Sequence, residues 1–221
     1  MADQTTSMSN EDNLEKNAVA KYFIVSGSTR ANSQSLKVSY HIKKQLKELN
    51  LDNDAYILDL ANSGIPEWNE DYWDKGEDWN EVWSHNSKKL KSADAIIIVA
   101  PEWNGMVPPS LMNFFHLCSN DELAHKPGLI VSISANASGG SYPVANLRMS
   151  SYKNTKICYI PDHVIIKNVT AVLNDSAMSD TDKYIQERLN YSLKVLDIYA
   201  KYLGQIRPIK LLYQDSYKYG M

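Results

Sequence analysis

Cysteine is almost missing from this chain: its 221 residues hold two, Cys118 and Cys158. Neither belongs to a C-x-x-C pair or a metal-ligand spacing, so a dithiol redox motif and a zinc knuckle are both excluded. They read as buried free thiols of a reducing compartment. Long apolar runs are missing too. No window approaches the roughly 18 consecutive apolar residues a membrane-spanning helix needs. The first twenty residues have neither the positive n-region nor the apolar h-region of a secretory signal. A cytoplasmic protein is the expectation. An excess of one charge is also absent from the body. The net charge is −3, and Asp3, Glu11, Asp12 and Glu15 against Lys16 place −3 within residues 1–20, so the rest sums to zero. A neutral body offers no basic face, which argues against nucleic-acid and anionic-membrane partners. Neither G-x-G-x-x-G nor G-x-x-x-x-G-K-[ST] occurs, which argues against a Rossmann dinucleotide loop and an NTP-binding loop. His41, His85, His116, His125 and His163 are scattered with no H-x-x-x-H pair, and they read as structural or solvent-facing. No metal site is expected.

What is present alternates. Residues 1–20 are polar and acidic, too poor in apolar surface to offset their ordering entropy, and read as a mobile arm. Tyr22-Phe23-Ile24-Val25 is a short apolar run that reads as a strand buried on both faces. Val38, Ile42, Leu46 and Leu49 follow at helical spacing, and Ala55 to Leu60 form a second strand. Residues 61–83 carry four of the five tryptophans, Trp68, Trp73, Trp79 and Trp83, which read as core or subunit-contact residues. A helix is predicted over 78–91. Ala95 to Ala100 is the strongest strand. Pro108 and Pro109 then stand where a first helical turn tolerates proline, ahead of the apolar helix with Leu111, Phe114, Phe115 and Leu117. Leu129 to Ser134 form a fourth strand, a helix holds Val144, Leu147 and Arg148, and a last strand falls within 157–167. A long final helix carries Ile185, Leu189, Leu193, Leu196, Ala200 and Leu203. Short apolar strands alternating with helices predict a parallel sheet covered on both faces.

Ligands of open α/β sheets bind beyond the carboxyl ends of the strands, and three loops leave those ends. The first runs from Ser26 to Ser35. A helix N-terminus offers free N–H groups and a positive dipole end. Ser28, Ser33, Gln34, Ser35 and the guanidinium of Arg30 add donors suited to a dianionic phosphate. Arg30 is one of only four arginines in the chain. The same loop also reads as an N-capped helix start with solvated serines. The second loop is Pro101-Glu102-Trp103-Asn104-Gly105-Met106, leading to the two prolines. Gly105 can take backbone angles other residues avoid, and Trp103 offers a flat apolar surface, which suits a planar heterocycle. The third, Ser134 to Ser141, is small and donor-rich through Ser138, Gly139 and Gly140.

Together these loops resemble the NAD(P)H-dependent FMN reductase family, which includes chromate, quinone and azo-dye reductases. The family pattern G-S-x-R-x-x-S reads here Gly27-Ser28-Thr29-Arg30-Ala31-Asn32-Ser33. Its P-E-Y-N-G reads Pro101-Glu102-Trp103-Asn104-Gly105, followed by Pro108 and Asn113. A D-L…P-x-Y-N-E-D segment reads Asp59-Leu60 and Pro66-Glu67-Trp68-Asn69-Glu70-Asp71. A Ser/Gly loop and a Leu-Arg helix fit Gly139, Gly140, Leu147 and Arg148. The resemblance implies a flavodoxin-like α/β three-layer sandwich with a five-stranded parallel sheet ordered 2-1-3-4-5. It implies a domain over 21–205 between the arm 1–20 and a tail 206–221. By it, Ser28, Arg30, Ser33, Gln34 and Ser35 hold the FMN phosphate. Pro101, Glu102, Trp103, Asn104 and Gly105 lie against the isoalloxazine, and Ser138, Gly139 and Gly140 flank it. The implied activity carries hydride from NADPH or NADH through FMN to a small acceptor such as a quinone, azo compound, metal oxyanion or free flavin. The implied assembly is a homodimer or homotetramer. Two residues depart from the pattern: Trp103 replaces tyrosine, and Met106 replaces a small polar residue.

Overall fold

The computed structural model describes residues 19–72, 74, 77–174, 178–214 and 216. The acidic arm, apart from its last two residues, and Trp73 lie outside the described residues. Five strands, β1 (Tyr22–Ser26), β2 (Tyr56–Asp59), β3 (Ala95–Pro101), β4 (Pro127–Ile133) and β5 (Cys158–Ile166), form one parallel sheet ordered β2-β1-β3-β4-β5. Every residue of β1, β3 and β4 is buried, whereas β2 and β5, at the edges, are only partly so. This is why the three central strands read as continuous apolar runs.

Successive side chains point to opposite faces of a strand, and each face carries its own core. Ile24, Ile97 and Leu129 pack under α1 (Gln34–Glu48) and α6 (Asp180–Ile206). Phe23, Ile96, Ile98 and Ile130 pack under α2 (Glu77–Ser92), α3 (Pro109–Leu117) and α5 (Ser141–Ser150). The tryptophan-rich stretch divides between two roles. Trp79 and Trp83 of α2 are core residues, Trp83 meeting Phe114 edge to face at 6.0 Å. Trp68 instead remains 37 % exposed. A short helix, α4 (Asn120–Leu123), was missing from the sequence reading. Its capping box of Ser119 and Glu122 was legible, but four residues are too few to show a period. No described helix is long and apolar enough to cross a membrane.

At the amino ends of the strands, Lys126 is buried just before β4 and donates to the Leu90 carbonyl at the end of α2. Burial first, and the nearby Arg207 charge second, bring its ammonium down to about 7, against the opposing pull of Asp94, Cys118 and Glu122. An unfolded lysine titrates near ~10.4. Above pH ~7 the unfolded chain therefore holds a proton that the native protein has released, and stability rises with pH. The rise should show between pH 7 and about 7.5, below the range where unfolded thiols, with a midpoint of about 8.5, ionise. Denaturant unfolding across that window should give a positive slope in the native protein. Lys126→Met should flatten it; an unchanged slope would assign the effect to other groups. The segment after α6 folds back over this end. Arg207 pairs with Asp94 at 2.7 Å, and Tyr213 meets His125 edge to face at 5.7 Å.

Candidate functional site

The carboxyl ends of β1 and β3 sit side by side in the sheet centre, where the chain order reverses and loops diverge to leave a crevice. Two sequence features shape the first wall. Ser33 caps α1 by accepting from the Leu36 amide at 3.1 Å, and no acidic residue occupies the first turn. The Gln34 and Ser35 amides are thus the orphan donors every helix start leaves. The Ser35 hydroxyl and Gln34 Oε1 are buried with no hydrogen-bond partner. Ser28 Oγ accepts from the Arg30 amide at 3.2 Å, which folds the loop back on itself. Among the described residues no carboxylate pairs with Arg30. Its guanidinium lies 4.8 Å over the Trp103 ring instead.

The second wall is a tight reversal. Trp103 and Met106 exchange both backbone hydrogen bonds at 2.9 Å. Asn104 and Gly105 between them have φ of 49° and 72°. Two consecutive positive φ angles define a type I′ turn, whose strongest sequence sign is Asn-Gly. The backbone freedom expected of Gly105 is used here. The turn is a closed hairpin tip with Asn104 and Gly105 at its apex. A Cβ added at Gly105 meets nothing within 4 Å. Gly105→Ala should therefore cost only the left-handed strain, about 1 kcal/mol, read by urea unfolding; a cost of several kcal/mol would mean the turn is packed more tightly than it is here.

The third loop is tied to the second. The Gly140 amide donates to the Glu102 carboxylate. A Cβ on Gly139 would stand 2.2 Å from Ser134 Oγ, and one on Gly140 would stand 2.4 Å from Ile165 Cγ2. These glycines are required by close packing against the ends of β4 and β5.

Between these walls lies a cleft of about 530 Å³ lined by Ser28, Arg30, Ser33, Gln34, Ser35, Pro101, Glu102, Trp103, Asn104, Ile133, Ala135 and Val169. A second cleft, of about 620 Å³, shares Trp103 and is lined by Thr29, Ile65, Trp68, Met112, Asn113 and His116 among others. Asn113 shapes it by accepting from the Trp68 amide at 2.7 Å and donating to the Pro66 carbonyl at 2.8 Å. His116, exposed on α3, faces Trp68 with ring centroids 6.3 Å apart.

The sequence profile of the NADPH-dependent FMN reductase family matches residues 20–171. The chain belongs to this family. It is 27 % identical over 174 residues to a 2-hydroxy-1,4-benzoquinone reductase of a Burkholderia species, covering 75 % of this chain and 90 % of that protein. It is 31 % identical over 122 residues to a quinone reductase of Pseudomonas putida. That match covers 53 % of this chain and spans 61 % of the Pseudomonas protein's length. Among solved structures, the fold is similar to the flavoenzyme NAD(P)H:(acceptor) oxidoreductase FerB of Paracoccus denitrificans. The TM-score is 0.62 at 18 % identity, over 85 % of this chain and 98 % of that one. It is also similar to an FMN-dependent NADH-azoreductase of Bacillus anthracis solved with FMN, at TM-score 0.53 and 17 % identity, over 80 % of this chain and 99 % of that one. Family membership assigns FMN as cofactor and NAD(P)H as reductant.

The residues present fit that cofactor. A phosphate needs donors without a competing anion. The orphan amides of α1, the unpartnered Ser35 hydroxyl and Arg30, which no carboxylate among the described residues pairs with, supply donors within one cleft, and the carboxylate that also lines it, Glu102, is engaged by the Gly140 amide. An amide assigned with its oxygen inward can turn to offer its NH₂ group, which would satisfy Gln34. The first eight of the thirteen residues expected to hold FMN, from Ser28 through Trp103, line the cleft, and Asn104 lines it too. Gly105 forms the turn beside it. Ser138, Gly139 and Gly140 do not line it; the last is joined to it through Glu102. Met106 is exposed and lines neither cleft. Lys37 was not foreseen as a site residue. From α1 it donates to the Val169 and Val172 carbonyls at 2.8 Å and to Asn174 Oδ1 at 2.9 Å. It thereby clips the loop after β5, whose Val169 closes the cleft. A lysine on a helix's polar side carries no sequence sign of such a clip, because its partners are carbonyls 132 and 135 residues away.

Proposed function

We propose that this chain is an FMN-dependent NAD(P)H oxidoreductase whose acceptor is a small planar molecule, a quinone first and an azo compound second. The supporting observation is the single cleft that joins an anion-seeking helix start, with Arg30 unpaired, to a rigid type I′ turn with Trp103 on its rim. When bound there, FMN supplies two-electron chemistry, taking hydride from NAD(P)H and passing electrons to the acceptor. The chain's own residues do the rest. Ser28, Arg30, Ser33, Gln34 and Ser35 hold the phosphate. The amides of Asn104 and Gly105 donate to the flavin edge, and being fixed beforehand by the turn they favour the more electron-rich reduced form. Glu102 and Gly140 hold the third loop, with Ser138 and Gly139, beside the ring. The second cleft, walled by Trp68 and Trp103, suits a flat acceptor. The names of the Burkholderia and Pseudomonas relatives support a quinone, and that of the Bacillus structure an azo compound.

On this reading the FMN-binding unit is residues 21–205, with the arm 1–20 before it and the tail 206–221 after it. The protein works in the cytoplasm, where the buried thiol of Cys118, pushed up by burial, remains reduced. It works as a homo-oligomer. The test is direct. The protein purified with FMN should be yellow, should bleach with NADPH or NADH in the absence of air, and should regain colour when benzoquinone is added. A yellow protein that does not bleach would instead be an electron carrier. A colourless protein that ignores added FMN would overturn the reading altogether.

A further inference from the structure

The residues of α3 divide between two sides. Leu111, Phe114 and Phe115 are buried in the core. Pro109, Met112, Asn113 and His116 recur at helical spacing on the other side and line the second cleft. The Asn113 side chain is engaged at both ends, by the Trp68 amide at 2.7 Å and the Pro66 carbonyl at 2.8 Å. It thus holds the loop after β2 against α3. That sets the Trp68 ring opposite His116, nearly one helical turn further along, with ring centroids 6.3 Å apart. Among the described residues neither ring nitrogen of His116 has a hydrogen-bond or ion-pair partner. The side chain is open to solvent.

The chemistry proposed for this cleft calls for a group of that kind. Hydride transfer to a quinone adds two electrons and one hydrogen nucleus. One ring oxygen is left as a phenolate, and neutral hydroquinone needs one more proton. The other polar groups around the cleft supply it poorly. Glu67 offers a carboxylate, which accepts. Thr29 and Ser110 offer hydroxyls, which hold their protons near neutrality, and Ser110 already donates to the Gly27 carbonyl at 3.4 Å. Histidine is the side chain that gains and releases a proton in that range. Water at the open side of the cleft can recharge it after each turnover.

We propose that His116 is the proton donor to the acceptor. A quinone lying between Trp68 and Trp103 accepts a hydrogen bond from the His116 imidazolium at one carbonyl oxygen, and takes that proton as hydride arrives. The N–H bond breaks, an O–H bond forms, and the imidazole regains a proton from solvent. The inference rests on the reading that the second cleft takes the acceptor, and it gives that cleft a named catalytic residue.

The FMN-loaded protein, reduced with NADPH or NADH and then mixed with benzoquinone without air, should regain its yellow colour in a single turnover. His116→Ala should slow that step about tenfold to a hundredfold, the lower part of the span for general acid catalysis, because water can substitute in an open cleft. Ferricyanide takes electrons singly and needs no proton, so the ratio of the benzoquinone rate to the ferricyanide rate should fall about tenfold or more. Imidazole in the buffer should restore the benzoquinone rate of His116→Ala. N,N′-dimethylimidazolium, similar in shape and charge but without an N–H, should not. In the oxidised native protein, hydroquinone should shift the ring-proton resonances that His116→Ala lacks, which reads contact without turnover. Equal slowing with both acceptors overturns the inference and leaves the oxidoreductase reading intact. So does rescue by both additives or by neither, which would reduce His116 to packing against Trp68. Unmoved resonances overturn it as well, by placing the acceptor elsewhere. A native protein that reduces neither acceptor defeats the underlying reading, and the inference with it.

Discussion

Arg30→Ala should weaken FMN binding by about tenfold to a hundredfold, the range for losing one charge-assisted hydrogen bond of 1.5–3 kcal/mol. The magnitude follows from how few charges serve the cleft. The first turn of α1 has no acid to repel a phosphate, so helix amides and hydroxyls supply the neutral donors and Arg30 alone supplies the positive charge among the residues that line it. In the structure the guanidinium stacks on Trp103. Losing it removes both a phosphate donor and a cation held over that ring. Arg30→Lys should recover only part of the affinity, since an ammonium keeps the charge but not the planar fork. Quenching of FMN fluorescence on titration reads the constant. The loss should shrink as salt is raised, because this portion of the affinity is electrostatic. Unchanged affinity in Arg30→Ala would mean that the phosphate is held somewhere else.

Gly140→Ala should be the most destabilising single change in the site, costing about 2–5 kcal/mol from overpacking and left-handed strain together. The backbone there has φ of 102°, a region that side-chain-bearing residues seldom enter. The new Cβ would also stand 2.4 Å from Ile165 Cγ2 of β5, so relief demands movement of a sheet residue. At roughly 2–4 °C per kcal/mol for a domain of this size, the melting temperature should fall by about 10 °C. Because Gly140 also donates to Glu102, flavin affinity should fall with it. Gly105→Ala, strained at similar φ but with open space around it, is the control. If both variants lose the same small stability, packing against Ile165 is not what requires a glycine at 140.

Much of this molecule was legible before its structure, and the reason differs from element to element. β1, β3 and β4 are buried on both faces, so they had to be apolar at every position and could not be mistaken. α1 and α6 each rest one face on the sheet, so a spacing of three and four betrayed them. The loop proposed to hold the phosphate was legible because its residues are neighbours: Ser28, Arg30, Ser33 and Ser35 fall within eight residues, and the free donors belong to the helix start that they adjoin. The Trp103–Met106 turn carried the Asn-Gly sign of a type I′ reversal, of which the sequence reading took only the backbone freedom of Gly105. The two roles of the tryptophans were less legible. Trp79 and Trp83 lie on a helix whose inward side is set by what it packs against, whereas Trp68 is held out by Asn113, 45 residues away.

By itself the sequence determined the alternation of strands and helices, the loops that end at the ligand crevice and the residue types that seek a phosphate. Those depend on period, capping and composition, which act over a few neighbours. Only the tertiary structure decided that Glu102 fastens Gly140, that Lys37 clips the loop bearing Val169, and that Lys126 gives up its proton near neutrality. Each depends on which distant groups are brought within a few ångströms and which are kept from water, and no local pattern of side chains encodes that.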